Sequence, residues 1–182
     1  KGVGALYIKT STKIEPLFFG GGHEKNLRSG TANIPSIVGF AKALELTQQE
    51  KAAENKRQIK LRDHFIETIL KNLTGVKLNG PQTPPSGGPK TQRLPNNINL
   101  AIEGINDQEL LLQLDEIGIY ASSGSACSAK STEPSHVLQA IKLPKNLLQN
   151  SIRLTLGKTT TDEDLDYAAQ TLIKLVYELR FH

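Results

Sequence analysis

The chain has 182 residues, enough for one sizeable domain or for one domain and a piece of another. Charged residues of both signs make up 22% of it and leave a formal net charge of +4, scattered rather than blocked, which excludes a disordered composition and gives little support to a nucleic-acid partner. The single cysteine excludes an internal disulfide and a cysteine-rich zinc site, and no apolar run reaches membrane-spanning length.

The chain contains no methionine and opens on Lys1-Gly2-Val3-Gly4-Ala5-Leu6-Tyr7-Ile8. The expectation is a fragment that begins inside an ordered element, with a short buried strand over residues 3–8. A second apolar run, Leu17-Phe18-Phe19, stops at Gly20-Gly21-Gly22. The stretch from there, Gly20-Gly21-Gly22-His23-Glu24-Lys25-Asn26-Leu27-Arg28-Ser29-Gly30-Thr31, combines glycines with Arg28, Ser29 and Thr31 and leads into a helix. Glycine lets a backbone approach a ligand closely, and a helix N-terminus favours an anion, so the stretch suits a phosphate or carboxylate. It lacks the Gly-Lys-Ser/Thr ending of a Walker loop, and a surface loop with incidental charge is the alternative on the residues alone.

Asn33 can cap the following helix and Pro35 fits its first turn. Ile34, Ile37, Val38, Ala41 and Leu44 recur at helical spacing, residues 47–58 are polar all round, and periodicity returns with Ile59, Phe65, Ile66, Ile69 and Leu73. A helix with a polar middle bridges two packed bodies, which places a junction within residues 46–56 and predicts two parts, residues 1–45 and 46–182. Beyond Gly75 the pattern reads strand over 76–78, a Pro/Gly-rich loop over 81–89, strand over 98–102, and a helix capped by Asn106 and Glu109 and ended by Gly118. A brief strand, Ile119-Tyr120, then leads into Ala121-Ser122-Ser123-Gly124-Ser125-Ala126-Cys127-Ser128-Ala129. Thr132 and Pro134 start a short helix carrying Val137, Leu138 and Ile141, where His136 suits the surface or a cap. In Ser151-Ile152-Arg153-Leu154-Thr155-Leu156-Gly157, Arg153 shares one strand face with Ser151 and Thr155 and is either a carboxylate clamp or an exposed strand arginine. Thr160 and Glu163 form a capping box before a terminal amphipathic helix. The order implies a small α+β or α/β layer domain.

A lone cysteine is commonly a small buried hydrophobe. Cys127 instead sits among Ser, Gly and Ala, neighbours with little to pack, so it reads as a thiol presented on a mobile loop, a candidate nucleophile.

Five separated pieces resemble the cysteine desulfurases, pyridoxal-phosphate-dependent members of the class V aminotransferase-like enzymes. They are the opening Lys-Gly-Val-Gly-Ala run, the stretch 20–31, Ser122 through Cys127, Glu133-Pro134-Ser135-His136-Val137-Leu138, and Ser151-Ile152-Arg153 through Gly157 with Thr160-Thr161. The Ser-Ser-Gly-Ser-Ala-Cys form is similar to the subgroup with the longer active-site loop, used in iron–sulfur cluster assembly and tRNA thiolation. The resemblance implies an α/β, fold-type I transferase, of which this chain holds an edge of the large-domain sheet, a bridging helix and a small C-terminal domain. It implies L-cysteine as substrate, Cys127 as the thiol that becomes a persulfide, Arg153 on the substrate carboxylate, and Thr31 on the cofactor phosphate of the second subunit of a homodimer. The lysine that attaches pyridoxal phosphate lies ahead of the matched opening run, so the 182 residues are expected to be inactive alone. A sulfur acceptor or iron–sulfur scaffold protein, a cytoplasmic setting, and no metal, membrane or nucleic-acid partner complete the expectation. Lys130 and Thr132 depart from the family pattern within the loop. A selenocysteine or cysteine sulfinate lyase, and a non-catalytic interaction module, are the alternatives.

Overall fold

Beyond Pro35 in the first turn and Gly39 in the second, residues 34–72 contain no glycine or proline, and they form one helix of 39 residues, about 58 Å long, in a computed structural model that describes residues 2–81, 93–123 and 135–181. This helix, α1 (Ile34–Asn72), starts where Asn33 Oδ1 accepts from the Ser36 amide at 3.2 Å. The chain divides into two units, Lys1–Ala52 and Ala53–His182.

In the first unit the described residues form no strand. The strand expected over residues 3–8 is absent, with Leu6 77% and Tyr7 89% exposed. A strand exists only by pairing its N–H and C=O groups, and no sheet edge stands among the described residues of this unit. A 3-10 turn, Glu24–Asn26, is left-handed at all three residues, with φ of 51°, 57° and 66°. Ser29 is the unit's sole buried residue among those described.

The second unit is built on a four-stranded antiparallel sheet in the order β1-β2-β4-β3, from β1 (Val76–Leu78), β2 (Asn97–Ile102), β3 (Ser122–Ser123) and β4 (Ser151–Thr155). Alternation sends Ile98, Leu100 and Ile102 of β2 and Ile152 of β4 to one face. There they join Leu61, Phe65 and Ile69 of α1, Leu110 and Leu114 of α2 (Asp107–Glu116), and Leu165, Leu172 and Val176 of α5 (Asp162–Phe181) in the main core. On the other face Ala101 meets Leu138 of α3 (His136–Ala140) and Leu147 of α4 (Lys145–Leu148).

The capping residues set where these helices begin and end. Asn106 Oδ1 accepts from the amides of Gln108 and Glu109 at 2.9 and 3.4 Å and starts α2. Gly118, at φ 81°, ends it: its amide donates to Asp115 O and that of Ile119 to Leu114 O. This turn uses the backbone that was expected to form a strand at Ile119-Tyr120, so pairing begins only at Ser122. The capping box of α5 is Thr161 with Asp164, one residue later than expected. Thr160 is engaged elsewhere, its hydroxyl accepting from the Gly157 amide at 2.9 Å. Helix α4, not foreseen, follows Pro144. Arg57 ties α1 to the turn after β4 by donating to the carbonyls of Gly157, Lys158 and Thr160, while Glu54 accepts from it at 2.8 Å. The hydrogen bond from Arg57 holds the Glu54 carboxyl below its ordinary value. None of the described helices is long and apolar enough to cross a membrane.

Candidate active site

Arg153 sits in the middle of β4, half-buried, on the face opposite the main core. Directly across from it stand Asn99 on β2 and Ser122 on β3. The pairing of β1 with β2 carries on one residue past β1, where the Asn79 amide donates to Asn99 O at 2.9 Å. Asn79, Asn99, Arg153 and Ser122 therefore form a single polar rung running across all four strands. Facing side chains on such a rung have Cβ atoms about 4.5–5.5 Å apart. Among the described residues the Arg153 guanidinium has no hydrogen-bond or ion-pair partner.

The Asn79 side chain, 4% exposed, donates through Nδ2 to Asn99 Oδ1 at 2.7 Å and to Ser151 Oγ at 3.2 Å. Ser151 Oγ donates in turn to Leu147 O at 2.8 Å, which fastens the rung to α4. At the other side β3 is fastened to α2, where Gln108 Nε2 donates to Ser123 Oγ at 2.9 Å. Half-buried Asp107 lies in that same corner; its burial raises the carboxyl above its ordinary 3.8, partly offset by hydrogen bonds from Gln108 and Ser123.

Cys127 lies outside the described residues, as do Lys130, Thr132 and Pro134. The last described residue before them is Ser123 of β3, one residue past the partner of Arg153. Cys127 is four positions on from Ser123, a reach of at most about 14 Å at 3.3–3.6 Å per residue.

The stretch 20–31 is in the first unit. Of its expected anion donors, Thr31 is exposed, three residues before α1. Ser29 is buried, and Arg28 lies 4.4 Å over the Phe18 ring and donates to Ser29 O. The glycine requirement is real at Gly22, at φ 76°, where a Cβ would come within 2.8 Å of Asn26 Oδ1. His136 is exposed at the start of α3. The residues missed from sequence are Asn79 and Asn99. The pattern Asn97-Ile98-Asn99-Leu100 held the signal, since two asparagines two apart on a strand share its polar face. Among the described residues no group of three His, Cys, Asp or Glu could hold a metal ion.

The aminotransferase class-V family matches residues 1–168, and the chain belongs to it. Within that family it is similar to cysteine desulfurases. It is 47% identical over 180 residues to the cysteine desulfurase IscS of Dictyoglomus turgidum and 46% identical to that of Methanosarcina thermophila, in each case over 99% of this chain. The chain spans 44% and 42% of the length of those two relatives. A solved NifS-like protein superposes with a TM-score of 0.78 at 31% identity, over 95% of this chain and 42% of that one. The NifS-like protein from Rickettsia africae ESF-5 gives 0.73 at 28%, over 92% and 41%. The fold is thus α/β, as expected, and the family implies pyridoxal phosphate as cofactor.

Proposed function

We propose that a protein of the relatives' full length containing this chain is a pyridoxal-phosphate-dependent cysteine desulfurase, converting L-cysteine to L-alanine with the sulfur left as a persulfide on Cys127. The observation that carries the reading is the pairing of β3 with β4. It sets Ser122, five positions before the thiol, across from half-buried Arg153, whose guanidinium has no partner among the described residues. A guanidinium binds a carboxylate in a two-pronged fashion and fixes the orientation of the amino acid attached to it. In this reading the substrate's own sulfur comes within that short tether of Cys127. The thiolate attacks that sulfur, and the substrate carbon–sulfur bond breaks as the new sulfur–sulfur bond forms.

The residues present fit one part of the cofactor. Thr31, with an exposed side chain just ahead of α1, offers a hydroxyl to a phosphate oxygen. Pyridoxal phosphate, when bound, supplies the electron sink that this chemistry draws on. Exposed apolar residues in the first unit, including Leu17, Phe18 and Phe19, support a covering surface such as the second subunit of a homodimer, to whose cofactor Thr31 would reach. A persulfide of this kind serves a sulfur acceptor or iron–sulfur scaffold protein in a reducing, cytoplasmic setting.

The test is mass spectrometry of the full-length, cofactor-loaded protein after exposure to L-cysteine. The expected result is one added sulfur atom on Cys127, with alanine release abolished in Cys127→Ala. Sulfur elsewhere or nowhere, or undiminished alanine release from the variant, overturns the reading.

A further inference from the structure

The rung beside Arg153 carries hydrogen bonds whose direction is fixed from one end. Leu147 O can only accept, so the Ser151 hydroxyl proton is committed to it at 2.8 Å. Ser151 Oγ then needs a donor, which turns the Asn79 Nδ2 group toward it at 3.2 Å. The second proton of that group meets Asn99, which must answer with Oδ1, at 2.7 Å. A reversed Asn79 amide would set its oxygen against a hydroxyl whose proton is spent. Asn79 Oδ1 is left buried without a partner, as expected if Nδ2 serves both neighbours. With its oxygen engaged, Asn99 Nδ2 donates to none of the described residues, and Arg153 is its direct partner across the strands.

A carboxylate has about four lone-pair sites, and a two-pronged arginine fills two of them. From this juxtaposition we propose that Asn99 is a second binding residue for the amino acid carboxylate, donating from Nδ2 alongside Arg153, and that Asn79 and Ser151 are positioning residues that hold its amide in the donating sense. The proposal rests on the carboxylate role given above to Arg153 and adds a residue to that subsite.

The test is titration of the full-length, cofactor-loaded protein with L-alanine and with ethylamine, its counterpart without a carboxylate, followed by absorbance. Asn99→Leu and the nearly isosteric Asn99→Asp should weaken L-alanine about 10–100-fold, the loss expected for a hydrogen bond to a charged group. Both should leave ethylamine binding in place; Asn99→Asp still accepts from Asn79 Nδ2 and should keep thermal stability, whereas Asn99→Leu leaves that buried donor without its acceptor and should lower it. Ser151→Ala keeps Asn99 but frees the direction of the Asn79 amide, and should lower the preference for L-alanine over ethylamine by a smaller factor. Equal losses for the two ligands, unchanged L-alanine binding in both Asn99 variants, or no L-alanine binding by the unsubstituted protein overturns the proposal. Failure to release alanine from L-cysteine would remove the desulfurase reading instead, and the two binding constants would still decide the role of Asn99.

Discussion

The two halves of α1 carry the same kind of apolar stripe and meet opposite fates. Ile34, Val38 and Leu44 in its first half are exposed, whereas Leu61, Phe65 and Ile69 in its second half are buried. The difference extends to the units themselves: residues 2–52 bury only Ser29 among those described, while residues 53–181 close two clusters around a sheet. Helical spacing shows which residues can share a face, but burial depends on a second surface, and among the described residues the later unit has one within itself. An amphipathic pattern is a request for a partner, and the first unit's request is unanswered by its own residues.

The largest expected effect comes from separating the halves. Residues 53–182 expressed alone should unfold in one cooperative transition, because both clusters lie within them. Residues 1–52 alone should show little helix, since an isolated helical stretch of this length is marginal in water. Circular dichroism during heating checks both, and a non-cooperative melt of the larger piece would break the contrast. Next come single side chains. Phe65→Ala should destabilise by about 3–5 kcal/mol, the usual loss for a buried phenylalanine. In the 182-residue chain alone and monomeric, Phe19→Ala should stay within about 0.5 kcal/mol in the same denaturant titration. Phe65 is 1% exposed and Phe19 85%, so equal costs would mean that Phe19 is covered in solution. The smallest effect is one of pH. The Glu54 carboxyl is held below its ordinary 4.5 first by its hydrogen bond from Arg57. Its contribution is therefore fully present above 4.5 and fades as the pH falls through the lower folded value. Glu54→Gln should flatten that part of the acid limb of a stability–pH curve, and superimposable limbs for the two proteins would remove the Arg57 tie from the account.

Much of the second unit was legible because its signals are local. Asn106 and Gly118 act on backbone groups within a few residues, as Asn33 does in the first unit, and each does so where it was expected. The capping box slipped by one because Thr160 and Thr161 are chemically alike, and only the turn at Gly157 decides between them. The strand over residues 3–8 failed for the converse reason, since a strand is defined by a neighbour that the residues themselves do not name. Arg153 was legible as a face of β4, but its companions were not. Asn79, Asn99 and Ser122 are distant in sequence, and only the register of three pairings aligns them. Cys127 remains a proposal drawn from its sequence neighbours and from the position of Ser123.

The rung's hydrogen bonds also bear on when order is imposed. Asn79 and Ser151 are 4% and 1% exposed, so the amide of Asn99 is oriented as the domain folds and not when a ligand arrives. The rotamer entropy of that side chain is surrendered once, in folding, and is not lost again on binding. A helix backbone at Leu147 thereby preorganises a side chain three residues along the rung, without touching whatever that side chain binds.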